Sequence, residues 1–267
     1  MSGNEISEIE GFSPAVTKQV AERVGPLLRR WFRADTHGLD HFPATGAALV
    51  VSNHSGGMFT PDVMLFGSAF YRRFGYHERP LFTLAHYGVV MGPLGDLMPK
   101  VGVIEASRQN AATALGSGGV VLVFPGGDFD AYRPTSADKV IDFNGRTGYV
   151  TTAMAAGVPI VPVVSIGGQE SQLFLTRGNR LAKLLGLTKA RMEILPITFG
   201  FPFGFSVIFP PNLPLPTKIV TQVLEPIDLT DQFGAEPDVD EVDAHVRYVM
   251  QRALNELSRK RRFPVLG

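Results

Sequence analysis

His54 and Asp62 stand at the two ends of a short stretch, Ser52-Asn53-His54-Ser55-Gly56-Gly57-Met58-Phe59-Thr60-Pro61-Asp62, directly after a run of valines. A carboxylate that accepts the proton on one imidazole nitrogen fixes the tautomer and leaves the other nitrogen as a base. With an ordinary pKa of about 6.5, such a histidine can take a proton from an alcohol near neutral pH. Gly56 and Gly57 permit a turn that side-chain-bearing residues resist. Thr60-Pro61 then reads as a helix start, with Thr60 as cap and Asp62 in the first turn, where the helix dipole favours an acid. The same pattern also fits a histidine that merely caps a turn beside a routine first-turn aspartate.

A second stretch has the same placement. Phe124-Pro125-Gly126-Gly127-Asp128-Phe129-Asp130-Ala131-Tyr132-Arg133 follows another valine-rich run. Adjacent glycines let a ligand approach backbone N–H groups, and Arg133 is the residue type that holds an anionic head group. A tight strand-to-helix connection explains the segment equally well.

Both stretches need strands to deliver them. Short apolar runs at 47–52, 81–84, 101–104, 120–124 and 158–165, rich in valine and isoleucine, read as buried strands. Helical patterns at 61–70, 107–115 and 147–156 lie between them, followed by a strand at 218–224 and a long amphipathic helix at 239–258. This alternation predicts one α/β domain with a largely parallel sheet flanked by helices, spanning residues 13–267 behind a flexible leader at 1–12. In such sheets ligands collect at the carboxyl ends of the strands, where both glycine turns fall.

Ser13-Pro14 opens a helix with Val16, Val20 and Val24 at a spacing of four. Gly25-Pro26 breaks the run, and Leu27, Leu28, Trp31 and Phe32 continue it beside Arg29, Arg30 and Arg33. These amphipathic N-terminal helices suit either docking on the domain or an interfacial seat on lipid. Residues 194–217 hold no charged side chain but six prolines, so they do not form a regular membrane-crossing helix. With Phe199, Phe201, Phe203, Phe205 and Phe209, they read as a buried strand pair or as a lobe dipping into lipid head groups. The cluster Arg259-Lys260-Arg261-Arg262 is either a solvated helix end or an attraction to anionic lipid.

Composition narrows the chemistry. The chain has 267 residues, 45% of them apolar and 19% charged, which fits a globular protein and not a disordered one. Basic and acidic residues balance at 25 each, giving nucleic acid no electrostatic footprint. The absence of cysteine removes disulfides, thiolate metal sites and a cysteine nucleophile. No Gly-x-Ser-x-Gly elbow, Walker A pattern or metal-ligand histidine spacing occurs, so His37, His41, His77, His86 and His245 read as structural. The acidic start, MSGNEISEIE, is unlike a signal peptide and points to a cytoplasmic, peripherally membrane-associated protein.

Taken in order, these segments resemble the glycerolipid and lysophospholipid acyltransferase superfamily over residues 37–170. Asn53-His54 with Asp62 resembles its first block, although seven residues separate the pair, a longer interval than the usual pattern. Gly102-Val103-Ile104 resembles the second block, but Glu105-Ala106-Ser107 lacks the arginine that reads a phosphate in the family. Phe124-Pro125-Gly126-Gly127 looks like the Pro-Gly-Gly form of the mono- and diacylglycerol acyltransferase branch, with Asp130 where that branch often has an acid. Val158-Pro159-Ile160-Val161-Pro162 matches the fourth.

The resemblance implies transfer of a long-chain acyl group from acyl-CoA or acyl carrier protein to a lipid hydroxyl at a membrane surface, with no cofactor and no metal. It makes His54 the general base and Asp62 its partner. Asn53, Ser55, Gly56, Gly57, Pro125, Gly126, Gly127, Asp130 and Arg133 would line the substrates, and the N–H groups of Ser55 and Gly56 would face the oxyanion. A lipid or thioester hydrolase, and a non-catalytic lipid carrier on the same scaffold, are the competing readings.

Overall fold

The computed structural model describes residues 8–187, 193–209, 211–263 and 265–266. Chain order runs α1 Pro14–Trp31, β1 Asp35–His37, β2 Ala48–Ser52, α2 Pro61–Phe74, β3 Leu81–Ala85, α3 Tyr87–Val90 and β4 Val103–Glu105. It continues with α4 Arg108–Gly116, β5 Val120–Val123, α5 Gly127–Ala131, α6 Gly148–Ala156, β6 Ile160–Ile166, β7 Leu173–Thr176 and α7 Asn179–Leu184. Last come β8 Ile197–Gly200, β9 Gly204–Val207, β10 Val220–Val223, α8 Leu229–Phe233 and α9 Val239–Lys260.

Seven strands form one sheet in the order β1-β10-β6-β2-β5-β3-β4. The five strands from β6 to β4 are parallel, and β10, with β1 parallel beside it, runs against them. β2, β5 and β6 sit at the middle, and nearly all their residues are buried, which is why they read as unbroken valine runs. The α/β architecture with a mainly parallel sheet flanked by helices is as the alternation predicts. At the antiparallel edge β10 falls within the strand expected at 218–224, whereas β1 carries little pattern: Asp35–His37 has only three residues, none of them apolar.

Helices cover both faces. The α9 stripe of Val242, Val246, Met250, Leu254 and Leu257 is buried, recurring every three or four residues, and it joins the core with Leu49, Val51 and Val164. Its start is fixed by the Asp238 carboxylate, which accepts from the N–H groups of Asp240 and Glu241. On the other face α2 contributes Phe66, Phe70 and Tyr71 to a cluster with Val50, Leu122 and Val163.

The N-terminal segment corrects one expectation. Gly25-Pro26 does not break the first helix; α1 runs through both. Gly25 is buried where α1 crosses α2, and a Cβ there would lie 2.2 Å from the Ser68 hydroxyl, so this position is glycine for close packing. Residues 1–7 of the expected leader lie outside the described residues. In residues 8–12, Glu8 accepts from Glu105 N–H and Phe12 packs edge-on against Phe82.

The uncharged segment is partly strand pair and partly exposed lobe. β7, β8 and β9 form a separate antiparallel sheet. Ile194 and Thr198 are buried, and Phe209 packs edge-on against Tyr132, whereas Phe199, Phe201, Phe203 and Phe205 are exposed. Pro210 lies outside the described residues.

Candidate active site

β6, β2 and β5 are adjacent and parallel, so their carboxyl ends release three loops along one rim. Asn53 comes first after β2. Its side-chain oxygen accepts from Ser165 N–H at 2.8 Å and its side-chain nitrogen donates to Ser165 O at 2.9 Å, which binds the turn to β6 like an added rung of the sheet. Asn53 is fully buried, so it positions His54 and does not line a substrate as expected.

His54 follows with its side chain 14% exposed. Its ring stacks on Phe124, at the end of β5, with centroids 4.2 Å apart and planes 30° apart. Nδ1 lies 3.0 Å from Asp62 Oδ2. An ionised carboxylate only accepts, so in the neutral ring this contact favours the tautomer with its proton on Nδ1 and a lone pair on Nε2. Asp62 is buried and further fixed: Oδ2 also accepts from Ser55 N–H at 2.8 Å, and Oδ1 from Val63 N–H at 3.0 Å. Thr60 makes no side-chain cap, so Asp62 itself satisfies the start of α2. The seven-residue interval therefore closes on itself, bringing its two ends into one hydrogen bond.

A second carboxylate holds the backbone of His54. Asp130 accepts from His54 N–H and is ion-paired with Arg133, whose guanidinium also donates to His54 O at 3.0 Å. Both side chains are almost completely buried, and burial pushes the Asp130 carboxyl above the usual carboxylate range against the pull of Arg133. Arg133 is thus committed inside the protein and does not meet a head group, contrary to the reading from its type and place. The Ser55 and Gly56 N–H groups are likewise taken, by Asp62 and by Gln169 Oε1 at 3.3 Å, so neither faces an oxyanion.

Gln169 is the residue that sequence reading missed. Besides accepting from Gly56, its nitrogen donates to the carbonyls of Ala131 and Arg133, clasping the two glycine turns together. It follows β6 in Gly167-Gly168-Gln169, the third case of glycines directly after a central valine strand, and that shared placement was its available signal.

The remaining glycines have packing reasons. Gly57 has φ +68°, and a Cβ there would meet Gln172 and Phe174 within about 3 Å. A Cβ on Gly126 would meet Asp130 at 2.4 Å. The carbonyls of Pro125 and Gly126 accept from Arg146, while Gly127 has φ +50° and is only partly buried. Most of the residues expected to line substrates therefore build the frame. The exposed side chains of the His54 turn are Met58 and Phe59, both apolar.

Comparison with known proteins gives this arrangement a context. A family model described as Acyltransferase matches residues 33–166. An uncharacterised protein of Mycobacterium tuberculosis is 31% identical over 260 residues, covering 94% of this chain and 69% of that one. A Bos taurus protein named DGAT1/2-independent enzyme synthesizing storage lipids is 26% identical over 195 residues, 73% of this chain and 56% of its own. Diacylglycerol O-acyltransferase 2 of Dictyostelium discoideum is 27% identical over 172 residues, 61% of this chain and 50% of its own. Among solved structures, the 1-acyl-sn-glycerophosphate acyltransferase PlsC of Thermotoga maritima superposes with a TM-score of 0.52 at 21% identity, covering 90% of this chain and 81% of that one, a likeness of fold.

Proposed function

This chain belongs to the acyltransferase family, and on that premise we propose that it moves a long-chain acyl group from a thioester to a lipid hydroxyl, with His54 as general base and Asp62 as its partner. The single observation that carries the proposal is the 3.0 Å contact between His54 Nδ1 and Asp62 Oδ2.

The thioester, on CoA or a carrier protein, brings an activated carbonyl, so no covalent enzyme intermediate is required. Nε2 of His54 removes the acceptor's proton as its oxygen attacks the carbonyl carbon. The imidazolium formed is stabilised by the Asp62 carboxylate. The tetrahedral intermediate then expels the thiolate, which takes the proton back from His54, leaving an ester and a free thiol. Asp130 and Arg133 hold the backbone of His54 from both its N–H and its carbonyl, which fixes the ring's place without touching substrate.

The acceptor is read as an uncharged lipid hydroxyl, of the mono- or diacylglycerol kind, in preference to a lysophospholipid. The support is chemical: residues 53–62 contain no lysine or arginine, and Arg133 is withdrawn into the interior. The relatives named Diacylglycerol O-acyltransferase 2 and DGAT1/2-independent enzyme synthesizing storage lipids agree with this choice. The protein is proposed to work at a lipid surface, where both acceptor and acyl chain reside; among the described residues no helix is long and apolar enough to cross a membrane.

The test is a panel of lipid alcohols, neutral and phosphorylated, incubated with one long-chain acyl-CoA and read by mass spectrometry. Esterified neutral acceptors are the expected products. Release of free fatty acid alone would replace the transferase with a hydrolase, and a His54→Ala protein with unchanged turnover would remove the base.

A further inference from the structure

Building on the reading of a lipid acceptor, we propose that the outer face of the β7–β8–β9 sheet, continued by Leu27 and Trp31 of α1, docks on a leaflet of anionic phospholipid. Register places Leu173, Phe199 and Phe205 in one cross-strand row, and they are 46%, 56% and 63% exposed. Phe174 and Thr198, on the opposite face, are buried. The sheet thus alternates as strands on a core do, yet its outward side is also apolar.

Hydrogen bonds show that this patch continues across elements distant in sequence. Leu213 donates its N–H to Phe201 O at 2.7 Å, and the next residue's carbonyl, Pro214 O, accepts from the Trp31 indole at 3.0 Å. Phe201, Leu213, Leu27 and Trp31 are all exposed. Scattered apolar residues on a surface are ordinary, but a contiguous row joined through three segments marks an interaction face.

Charge selects the occupant. Beside Trp31, Arg33 donates to Pro216 O at 2.8 Å and lines a cavity of about 650 Å³ with Arg29, Arg30 and Arg72. Its acidic members are Glu22 and Asp35, and Asp35 is already ion-paired with Lys218. Beyond the other edge, α7 follows β7 and carries Arg180 and Lys183 next to exposed Leu184, with no acidic residue between positions 171 and 187. A second copy of the chain would set one basic rim against another. A phospholipid leaflet instead offers acyl chains to the phenylalanines and phosphates to the arginines.

The buried side of the same sheet borders the site. A Cβ on Gly57 would lie 3.0 Å from the Phe174 ring, so the turn bearing Met58 and Phe59 abuts β7.

Flotation of the full chain with vesicles of phosphatidylcholine, alone or with phosphatidylglycerol, tests the proposal. The wild type should float, more strongly with phosphatidylglycerol. F199S/F205S should lose roughly tenfold or more in apparent affinity for both vesicle types. R30E/R72E should lose only the preference for phosphatidylglycerol, with both variants unfolding thermally like the wild type. Wild-type flotation by F199S/F205S, or no flotation of the wild type with either vesicle, overturns the docking face. So does a wild-type dimer in light scattering that F199S/F205S converts to monomer. Acyl transfer to a detergent-dispersed acceptor is measured alongside. Turnover without flotation removes the docking face and leaves the enzymatic reading; flotation without turnover on any acceptor does the reverse.

Discussion

From His54 to Gly57 each backbone N–H has an internal acceptor, whereas the neighbouring β7–β9 sheet turns leucine and phenylalanine side chains outward along a whole row. The first region consists of buried polar groups whose value lies in complete mutual satisfaction, because an unpaired one costs far more than a paired one contributes. The second is rigid through its backbone ladder and leaves its apolar side uncovered. A change in the first should damage chemistry or folding, and a change in the outer face of the second should damage neither. One region holds a geometry; the other is the face proposed to meet lipid.

The largest expected effect breaks the first region at its proposed base. His54→Ala should lower turnover by about 10²–10⁴-fold while leaving the thermal midpoint close to wild type, measured by steady-state kinetics beside circular dichroism. Removing the carboxylate that holds the His54 backbone should instead strike the fold. Asp130→Ala leaves Arg133 charged and unpaired in the interior, and a loss of about 3–5 kcal/mol is expected in denaturant titration. Gly57→Ala should cost about 1–2 kcal/mol from the left-handed backbone, plus whatever Gln172 and Phe174 must yield, and a smaller loss would show that the turn relaxes.

The outer face provides the contrast. F199S/F205S should change stability by no more than about 0.5 kcal/mol per site, since neither ring is buried, and a larger loss would mean the sheet is part of the core.

A further effect concerns pH. Hydrogen bonding from Lys218 lowers the Asp35 carboxyl below its ordinary 3.8. The contribution of this pair is therefore complete above about pH 4 and lost as pH falls through the depressed folded value. Being partly exposed, it is worth at most about 1 kcal/mol, and Asp35→Asn should flatten that segment of the acid-unfolding curve.

What the sequence made legible was periodicity. Valine runs and helical stripes are local signals, and they located the central strands, α2 and α9 to within a few residues. The two ends of the His54 turn were visible because a strand and a helix start bracket them. The polar partners were not, because they lie far off along the chain: Asn53 and Ser165 are separated by 112 positions, Gly56 and Gln169 by 113. Arg133 shows the difficulty. Its type suits an anionic ligand, and only the placement of Asp130 and of His54 O reveals an internal one. Gly25-Pro26 misled for a similar reason, since the close approach of Ser68 that requires the glycine is tertiary. Arg261 is a third case: in a basic run that suggests lipid attraction, it forms two bonds with Glu170, both 2.6 Å long, and its side chain is only 7% exposed.

The two-atom clasp of Asn53 on Ser165 has a consequence for heating. It ties the His54 turn to the buried central strands, so the site should have no separate melting of its own. Inactivation on warming should coincide with loss of the sheet and not precede it. The amide protons of His54 and Ser55 should exchange with deuterium as slowly as those of the central valines.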